Sequence, residues 1–487
     1  MISFNNVPIG TRVPFTFVEF DGSNANGTAT AQAYKVLMLG QKLDSGSAVA
    51  EVPYIVASTA QAIELFGKGS MLHNMVDVFF KNNDATELHV MSFKDPDKAT
   101  PAQWKFTFDP ALDKATKADQ LTLNIAGEIL QFDTTPDMKL AELLSTIASK
   151  VTSQESLPVT VAATANEITF ISKHKADIAN QIVIELSQGS NFQLKDPTPK
   201  TKATNGQGIS LSTAFSKISD THYNFIINPY ETADVIKFLE GELVQRFSPS
   251  RALEAIAISA VSGKQGEVSK FLETKTSPHT VYIATATSQS PGYLWASALT
   301  AVTAYYGNLD TARPFQTLPI LGVVPPQRED QFTMQDRNVL LSRGASTFTV
   351  DSGDNVRIER LVTTYKNSNA PNDMAYVSLN TLLTLSFIRF SIRSYFSRKY
   401  PRCKLASDAI RLPAGASVMT PSLMKAELVC LFRTWETELG IVENVDQFKN
   451  DLICEINQRD KTRLDVSLTP KLVSQFCILG VKVGFLL

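Results

Sequence analysis

Residues 223–229, Tyr-Asn-Phe-Ile-Ile-Asn-Pro, form the short apolar run that decides the fold class. A run of this kind, bounded by polar and turn-forming residues, predicts a buried strand. Helical patterns follow near 232–246, 264–273 and 291–306. The strands expected between and after them are 255–261, 280–285 and 319–324. Because strands and helices alternate, the sequence predicts a layered α/β core.

The same alternation is found nearer the N-terminus. Ser58 and Gln61 have the spacing of a capping box that starts a helix, and Gly67 is suited to end it. The strands expected here are 34–40, 54–57 and 87–93. Since the two stretches share one pattern, residues 32–95 and 203–365 are predicted to build a single discontinuous core.

Residues 96–202 have a different pattern and are flanked by linker-like stretches rich in Pro, Asp and Lys. Hairpins are predicted at 121–132, turning at Ala126-Gly127, and at 159–171, with a further strand at 182–186. One apolar stripe at helical spacing consists of Leu140, Leu143, Leu144, Ile147 and Val151. We interpret this stretch as an inserted surface α+β domain, in addition to the layered core, for which mixed sheets are predicted.

Residues 366–473 contain the clearest helical patterns and are predicted to form a C-terminal helical and sheet domain. The first helix is expected to start at Asn372 or Asp373, which are good N-cap residues, and to end near Lys399. The second is expected over 420–440, with Pro in its first turn and Gly at its end.

Composition excludes several classes of protein. The chain has 487 residues, with 46 basic and 48 acidic side chains and a formal charge of −2, which argues against a bulk nucleic-acid binder. An apolar content of 44% excludes disorder as the main state. Four cysteines without a close pair favour buried free thiols in a reducing compartment. We recognise neither a secretory signal nor a membrane-spanning run, and we therefore expect a soluble protein.

The sequence contains no recognisable motif for catalysis. The P-loop spacing fails at residues 67–69 and 263–265, and the serine-hydrolase turn fails at 415–419, where Met replaces the required Gly. No two of the five histidines are close enough to share a helix turn as metal ligands. The acidic stretch 351–359 lacks calcium-loop spacing and predicts a solvated hairpin turn. We therefore predict no catalytic residue, no metal site and no cofactor, and a protein that is not an enzyme.

Both ends of the chain predict strands. Residues 1–31 comprise an apolar strand and a flexible tether of small polar residues at 21–31, and residues 474–487 are again strand-like. Since neither strand has an evident partner in its own domain, we expect both to pair with sheets of neighbouring subunits by β-augmentation. The residues expected to make these contacts are Val13, Phe15, Phe17, Val18, Phe20, Phe476, Ile478, Val481, Val483 and Phe485.

Basic side chains gather near the end of the first C-terminal helix. These side chains are Arg389, Arg393, Arg398 and Lys399. With aromatic residues interleaved, they are suited to contact nucleic acid. Cations at a helix C-terminus also complement the helix dipole and acidic groups on another subunit, and the near-neutral total charge favours this second interpretation. We expect a helix that faces a tube or another subunit, without direct nucleic-acid contact.

Several segments together resemble the tail sheath subunits of Mu-like contractile phages and prophages. These subunits belong to the contractile injection sheath superfamily. The segments are 220–230 (Asp-Thr-His-Tyr-Asn-Phe-Ile-Ile-Asn-Pro-Tyr), 411–422 (Arg-Leu-Pro-Ala-Gly-Ala-Ser-Val-Met-Thr-Pro-Ser), 435–436 (Trp-Glu), 440–444 (Gly-Ile-Val-Glu-Asn) and 463–466 (Arg-Leu-Asp-Val). The resemblance covers nearly the full chain and is strongest after residue 210.

The resemblance implies a structural protein that polymerises as stacked hexameric rings, a helical homo-oligomer, around a tail tube. It implies that the sheath contracts to drive the tube through the bacterial envelope during genome delivery, and that both chain ends link subunits by added strands. The implied partners are further copies, the tail tube protein, and baseplate and tail terminator proteins, without membrane insertion. The implied location is the virion tail, assembled in the host bacterial cytoplasm. Two alternatives stay open: another tail, baseplate or particle assembly protein without contraction, and an enzyme that uses the α/β core.

Overall fold

The computed structural model of the chain describes residues 32–187, 190–196, 200–206, 208–367, 370, 373–409 and 417–486. Backbone contacts divide the described residues into two compact units. The larger unit comprises residues 33–384 together with 474–486, and the smaller comprises residue 32 with 385–473. The arm residues predicted before residue 32 lie outside the described part of the chain.

The first elements of the larger unit confirm the strands predicted near the N-terminus. They are β1 (Lys35–Gln41), β2 (Pro53–Val56), α1 (Thr59–Phe66), α2 (Met71–Asn82) and β3 (Glu87–Phe93). The predicted caps of α1 are also confirmed, since Ser58 Oγ accepts from the Gln61 N–H at 3.2 Å and Gly67 ends the helix at φ 88°. Sequence reasoning missed α2.

Residues 101–201 form two antiparallel sheets and a helix of their own. Their elements are β4 (Pro101–Phe108), β5 (Asp119–Ile125), β6 (Glu128–Thr134), α3 (Leu140–Ser153), β7 (Val159–Ala163), β8 (Glu167–Lys175), β9 (Ile184–Leu186), β10 (Leu194–Asp196) and β11 (Lys200–Thr201). One sheet has the order β10-β4-β8-β7 with β11 beside β4, and the other has the order β6-β5-β9. The predicted turn lies at Ala126 and Gly127, both with positive φ, as a two-residue hairpin requires.

The rest of the larger unit returns to the alternating pattern. Its elements are α4 (Ser212–Ile218), β12 (Phe225–Ile227), α5 (Ala233–Phe247), β13 (Ile256–Val261), α6 (Gln265–Leu272), β14 (Thr280–Ala284), α7 (Gly292–Leu309), α8 (Met334–Ser342), β15 (Ala345–Val350) and β16 (Val356–Arg360). The helices predicted near 232–246, 264–273 and 291–306 are confirmed as α5, α6 and α7.

The central sheet joins both halves of the discontinuous pattern in the order β16-β15-β14-β13-β12-β1-β3-β2. Its inner strands run parallel, and the edge strands β16 and β2 run antiparallel to their neighbours. Along β1, Val36 and Met38 enter the core that contains α2 and α7, while Leu37 and Leu39 enter the core that contains α4 and α5. Both faces of the sheet are therefore covered, as parallel sheets require, and the predicted α/β class is confirmed.

The strand predicted at 319–324 is wrong. This segment makes an isolated bridge from Pro319 to Arg357, and the Ile320 N–H donates to the Val356 carbonyl at 2.9 Å, but no strand forms. Gly322 adopts φ 81°, which ends any extended run, and two prolines follow at 325 and 326. After Ile320, side chains satisfy backbone donors of the segment, since the Leu321 N–H donates to Asn82 Oδ1 and the Val324 N–H donates to Ser290 Oγ, each at 2.9 Å.

The last third contains two long helices and several short strands. Its elements are α9 (Leu379–Lys399), β17 (Lys404–Leu405), β18 (Val418–Met419), α10 (Pro421–Thr437), β19 (Val442–Glu443), α11 (Val445–Asp451), β20 (Ile453–Ile456), β21 (Leu464–Ser467) and β22 (Lys471–Leu472). The predicted start of α10 is confirmed by Thr420, whose hydroxyl accepts from the Leu423 N–H. The predicted start of α9 is wrong, because Asp373 accepts from the Ala375 N–H and the Tyr365 hydroxyl six residues before the helix begins. Asn372 lies outside the described residues.

The four cysteines differ in their exposure to solvent. All four cysteines are free, but the expectation of buried thiols is wrong for Cys430, which is exposed on α10, and holds fully only for Cys454. In the part of the chain that the structure describes, no helix is long and apolar enough to cross a membrane.

Candidate assembly surface

The C-terminal segment, defined here as residues 474–486, exposes its apolar side chains to solvent. The exposed fraction rises from 70% at Phe476 to 100% at Leu486, and is 71% at Val481 and 81% at both Val483 and Phe485. No residue of the segment belongs to a strand or helix within the chain. Exposed apolar patches of this kind mark interaction surfaces.

Only the first residues of the C-terminal segment are held by the larger unit. Gln475 Oε1 accepts from the Ser378 hydroxyl at 3.2 Å, and Gln475 Nε2 donates to the Ala312 carbonyl at 3.3 Å. Residues 474–478 line a groove of about 390 Å³ with Pro314, Phe315 and neighbouring residues. After Gln475, no residue of the segment hydrogen-bonds to another described residue, so its backbone donors and acceptors are open to a partner strand.

Unpaired sheet edges that could receive such a strand are present in the smaller unit. Strands β20 and β21 form an antiparallel pair with each other and with no other described strand. The exposed fraction is 56% for Ile453 on β20 and 37% for Val466 on β21. Two-stranded sheets are marginal in isolation, and further strands stabilise them.

The structure places the four predicted basic residues along the C-terminal half of α9. Arg389 is half-buried, and Arg393, Arg398 and Lys399 are exposed. Arg398 Nε donates to the Ser394 carbonyl of the preceding turn at 3.2 Å. That these four basic residues face a tube or another subunit remains a prediction. Lys399 already has an acidic partner within its own unit, namely Glu427.

Glu427 on α10 collects three donors from the end of α9. Lys399 Nζ and the Tyr400 hydroxyl each donate to its carboxylate at 2.6 Å, and the Tyr395 hydroxyl donates to it as well. Burial acts to raise the pKa of Glu427, but these hydrogen bonds outweigh it and the pKa is lowered. Burial and the bond to Glu427 also raise the pKa of Tyr400 to about 12. The cluster fastens α9 to α10, and sequence reasoning missed it because its members are 27 residues or more apart from Glu427.

Glu427→Gln is expected to destabilise the smaller unit by about 1 to 3 kcal/mol, the usual range for hydrogen bonds to a charged group. Because the pKa of Glu427 is lowered on folding, its stabilisation is present above the ordinary glutamate pKa and is lost as pH falls through the lowered value. Urea unfolding at neutral and acidic pH measures the difference between variant and parent, which should shrink in acid. Glu438→Gln, at the exposed C-cap position that follows α10, is the control and should change little. Equal effects of the two variants would contradict the role of the cluster.

Residues 351–355 of the acidic stretch form the predicted hairpin turn between β15 and β16, and residues 356–359 belong to β16. Asp351 accepts from the backbone N–H of Asn355 and from Arg357 Nε, and these two bonds lead the causes that lower its pKa to about 2. The Asp351 carboxylate thus stabilises the hairpin turn. Among the described residues, no group of three or more acidic, histidine or cysteine side chains is arranged to hold a metal ion.

Comparison with known proteins identifies the family. A model of the phage tail sheath protein central domain matches residues 202–364, and a model of the phage tail sheath C-terminal domain matches residues 371–485. The Mu-like prophage FluMu tail sheath protein of Haemophilus influenzae is 33% identical over 490 residues, covering 100% of both chains. The chain belongs to the phage tail sheath family. The C-terminal segment of this sheath protein lies almost wholly within the second matched region.

Comparison with solved structures also finds other sheath proteins. The sheath tail protein of Desulfitobacterium hafniense has a TM-score of 0.49 at 10% identity and covers 94% of this chain and 100% of its own. The sheath tail protein of Listeria innocua has a TM-score of 0.47 at 10% identity, with coverages of 92% and 97%. A contracted sheath complex of an extracellular contractile injection system, PVC, has a TM-score of 0.48 at 9% identity, with coverages of 97% and 98%.

Proposed function

We propose that this chain is the structural subunit of a contractile phage tail sheath, which polymerises around the tail tube and contracts to drive the tube through the bacterial envelope during genome delivery. Full-length similarity to a tail sheath protein of a Mu-like prophage carries this proposal. The exposed C-terminal segment supports it, because a sheath needs connections that hold subunits together while they move.

In this proposal, strand exchange links the subunits. The C-terminal segment of one subunit and the N-terminal residues 13–20 of another pair with a sheet edge of a third, and the β20–β21 hairpin offers such edges. Contacts of this head-to-tail kind generate rings or open helices. The tether at 21–31 gives the N-terminal strand slack during rearrangement.

The proposed energy source is conformational. The extended lattice is held at higher free energy than the contracted one, and better subunit contacts in the contracted state release the difference without nucleotide hydrolysis. The protein thus acts without catalysis. Its proposed partners are further copies arranged as stacked hexameric rings, the tail tube protein, and baseplate and tail terminator proteins, with assembly in the host cytoplasm and residence in the virion tail.

The proposed domains follow from the separate sheets and cores. Residues 32–95 with 203–365 form the sheath core, 96–202 an inserted domain on the outer surface, and 366–473 the C-terminal domain. The buried cluster that includes Trp104, Leu143 and Phe170 is distinct from the clusters that cover the central sheet, which supports an inserted domain.

Electron microscopy of the purified protein tests this function. Concentrated protein is expected to form wide hollow tubes with a helical repeat, and co-expressed tube protein should be found inside them. Solid fibres or closed shells would instead favour a different particle assembly protein. A protein that stays monomeric at all concentrations and is strongly stabilised by a nucleotide would contradict the proposal and favour an enzyme.

A further inference from the structure

Two buried histidine side chains hold the start of α2. Met71 is the first residue of this helix, and its N–H donates to His174 Nε2 at 2.9 Å. The Gly69 N–H, two residues earlier, donates to His73 Nδ1 at 3.1 Å. Backbone N–H groups at a helix start have no acceptor within the helix. Imidazole nitrogens supply acceptors here.

His174 connects two parts of the larger unit. It belongs to β8 and thus to the two-sheet region, defined here as residues 101–201, whereas α2 packs on the central sheet. On the other side of the ring, Nδ1 donates to Asp95 at 3.0 Å. Asp95 lies between β3 and β4, where the chain enters the two-sheet region. The His174 ring therefore joins this region both to α2 and to the chain that leads into it.

Both rings make these contacts only in their neutral forms. A ring nitrogen that accepts from an N–H carries no hydrogen, so His174 Nε2 and His73 Nδ1 are unprotonated. Protonation would set an N–H of the ring against a backbone N–H, and would place positive charge at the positive end of the α2 dipole. Since histidine changes its charge near neutral pH, mild acid reaches this transition.

The surroundings of His73 oppose its protonation. Burial is the largest cause, and it lowers the pKa of His73. Three charged side chains face the ring, namely Asp77, which acts against this lowering, and Lys173 and Lys68, which add to it. Because the pKa is lowered on folding, the stabilisation from His73 is complete above the ordinary histidine pKa and is lost as pH falls through that value.

The charge that faces His174 is the carboxylate of Asp95. It also accepts from the Lys175 N–H at 3.1 Å and from Gln41 Nε2 at 2.7 Å, which hold it beside the end of β8. A carboxylate at this distance favours a protonated ring. In acid the ring therefore keeps its bond to Asp95 and gives up the Met71 N–H.

Other contacts between the two-sheet region and the core differ in their response to acid. Lys68 pairs with Glu155 at 3.0 Å, but both side chains are exposed, so this pair adds little. Gln181 Nε2 donates to the Pro229 carbonyl, and its Oε1 accepts from the Tyr293 N–H, each at 3.1 Å. An amide side chain bonded to backbone groups does not titrate, so the Gln181 contacts are expected to persist in acid.

We propose that His73 and His174 form an acid-sensitive latch, the histidine latch, which holds the two-sheet region against the start of α2 at neutral pH and opens when the rings take up protons. In acid the Met71 and Gly69 N–H groups lose their acceptors, and the two-sheet region turns about the Gln181 contacts while its own sheets stay intact. The histidine latch acts within one chain and is therefore independent of strand exchange.

Hydrogen–deuterium exchange of the full-length protein, resolved to single amides, tests the histidine latch. Protection of the Met71 amide, corrected for the intrinsic effect of pH on exchange, should fall about tenfold between about pH 7.5 and about pH 5.5, the factor that one lost hydrogen bond of ordinary strength produces. The Gly69 amide should lose protection as well. The Tyr293 amide, which donates to Gln181, should stay protected at both pH values.

His174→Gln separates protonation from the loss of the contact. Glutamine offers an oxygen to accept from Met71 and a nitrogen to donate to Asp95, but it does not titrate, so the Met71 amide should stay protected in acid. His222→Gln is the control. The His222 ring contacts the Glu254 carbonyl at 2.9 Å instead, and this variant should keep the acid response of the parent.

Equal protection of the Met71 amide at the two pH values in the parent would overturn the proposal, and this result needs no variant. An equal fall in the parent and in His174→Gln would also overturn it, because the response would then not come from this ring. The amides of β13 serve as an internal reference within the central sheet. If they lose protection together with Met71, acid unfolds the chain as a whole, which contradicts a local latch.

Discussion

Removal of residues 474–487 is expected to abolish tube formation while leaving the subunit folded. The described side chains after Gln475 in this segment are mostly exposed, so their loss removes little packing from the subunit itself. A paired strand in the lattice, by contrast, contributes several hydrogen bonds of about 1 kcal/mol each, in addition to apolar burial. Sedimentation velocity and electron microscopy should show soluble monomers, and thermal unfolding should show a melting temperature that falls only slightly with the loss of the two Gln475 hydrogen bonds. Deletion of residues 1–20 is expected to have the same effect on assembly.

A single substitution tests the strand itself. Val483→Pro removes one backbone N–H and fixes φ, so it should impair assembly strongly if the segment pairs in a sheet. Val483→Thr keeps the N–H and the β-branched shape, and should assemble like the parent. Normal tubes from the truncated protein, or equal assembly of the two Val483 variants, would show that the segment does not link subunits by strand pairing.

Arg246→Ala is expected to cost about 3 to 5 kcal/mol of folding stability, the range for breaking a buried charge pair. Arg246 on α5 is fully buried, and its guanidinium donates to Glu242 at 2.8 Å. It also donates to the carbonyls of Thr221 at 2.9 Å and Ser219 at 3.0 Å, in the turn between α4 and β12. The substitution leaves these acceptors without their donor beside the central sheet. Thermal and urea unfolding measure the loss.

The neighbouring Arg251 supplies the control for this prediction. It also donates to Glu242, at 3.1 Å, but its side chain is 26% exposed. Arg251→Gln should therefore cost about 1 kcal/mol or less, because water replaces part of the lost interaction. If both substitutions destabilise the protein equally, the burial of Arg246 is not the source of its effect.

Local signals explain most of the fold that could be predicted from the sequence. The run at 223–229 and the helices after it predicted the layered α/β core, and the cap residues Ser58 and Thr420 located two helix starts correctly. The sequence predictions failed where tertiary contacts override the local preference for a strand or helix. At 319–324 an apolar run looks like a strand, but Asn82 at the end of α2 and Ser290 in the loop before α7 accept from its Leu321 and Val324 N–H groups. At Asp373 a good capping side chain is engaged in a turn, and the helix begins later.

The assembly surface was partly accessible to the same reasoning. The strand-like apolar run predicted that the C-terminal segment pairs with another subunit, and the structure exposes the apolar side chains of this segment. The Glu427 cluster gave no sequence signal, because it joins residues at the end of α9 to one on α10 that is 27 or more positions away in the chain.

The composition of the C-terminal segment also affects how newly made chains associate before assembly. Residues 474–486 carry one charged side chain, Lys482, and two glycines, Gly480 and Gly484, among otherwise mostly apolar neighbours. Such a stretch is prone to amyloid-like association with copies of itself, and an interrupting lysine and flexible glycines lower that tendency. Replacing this lysine and these two glycines with valine would strengthen β-pairing with any exposed strand edge. Lys482, Gly480 and Gly484 are thus expected to lower the tendency of unassembled chains to associate through this segment.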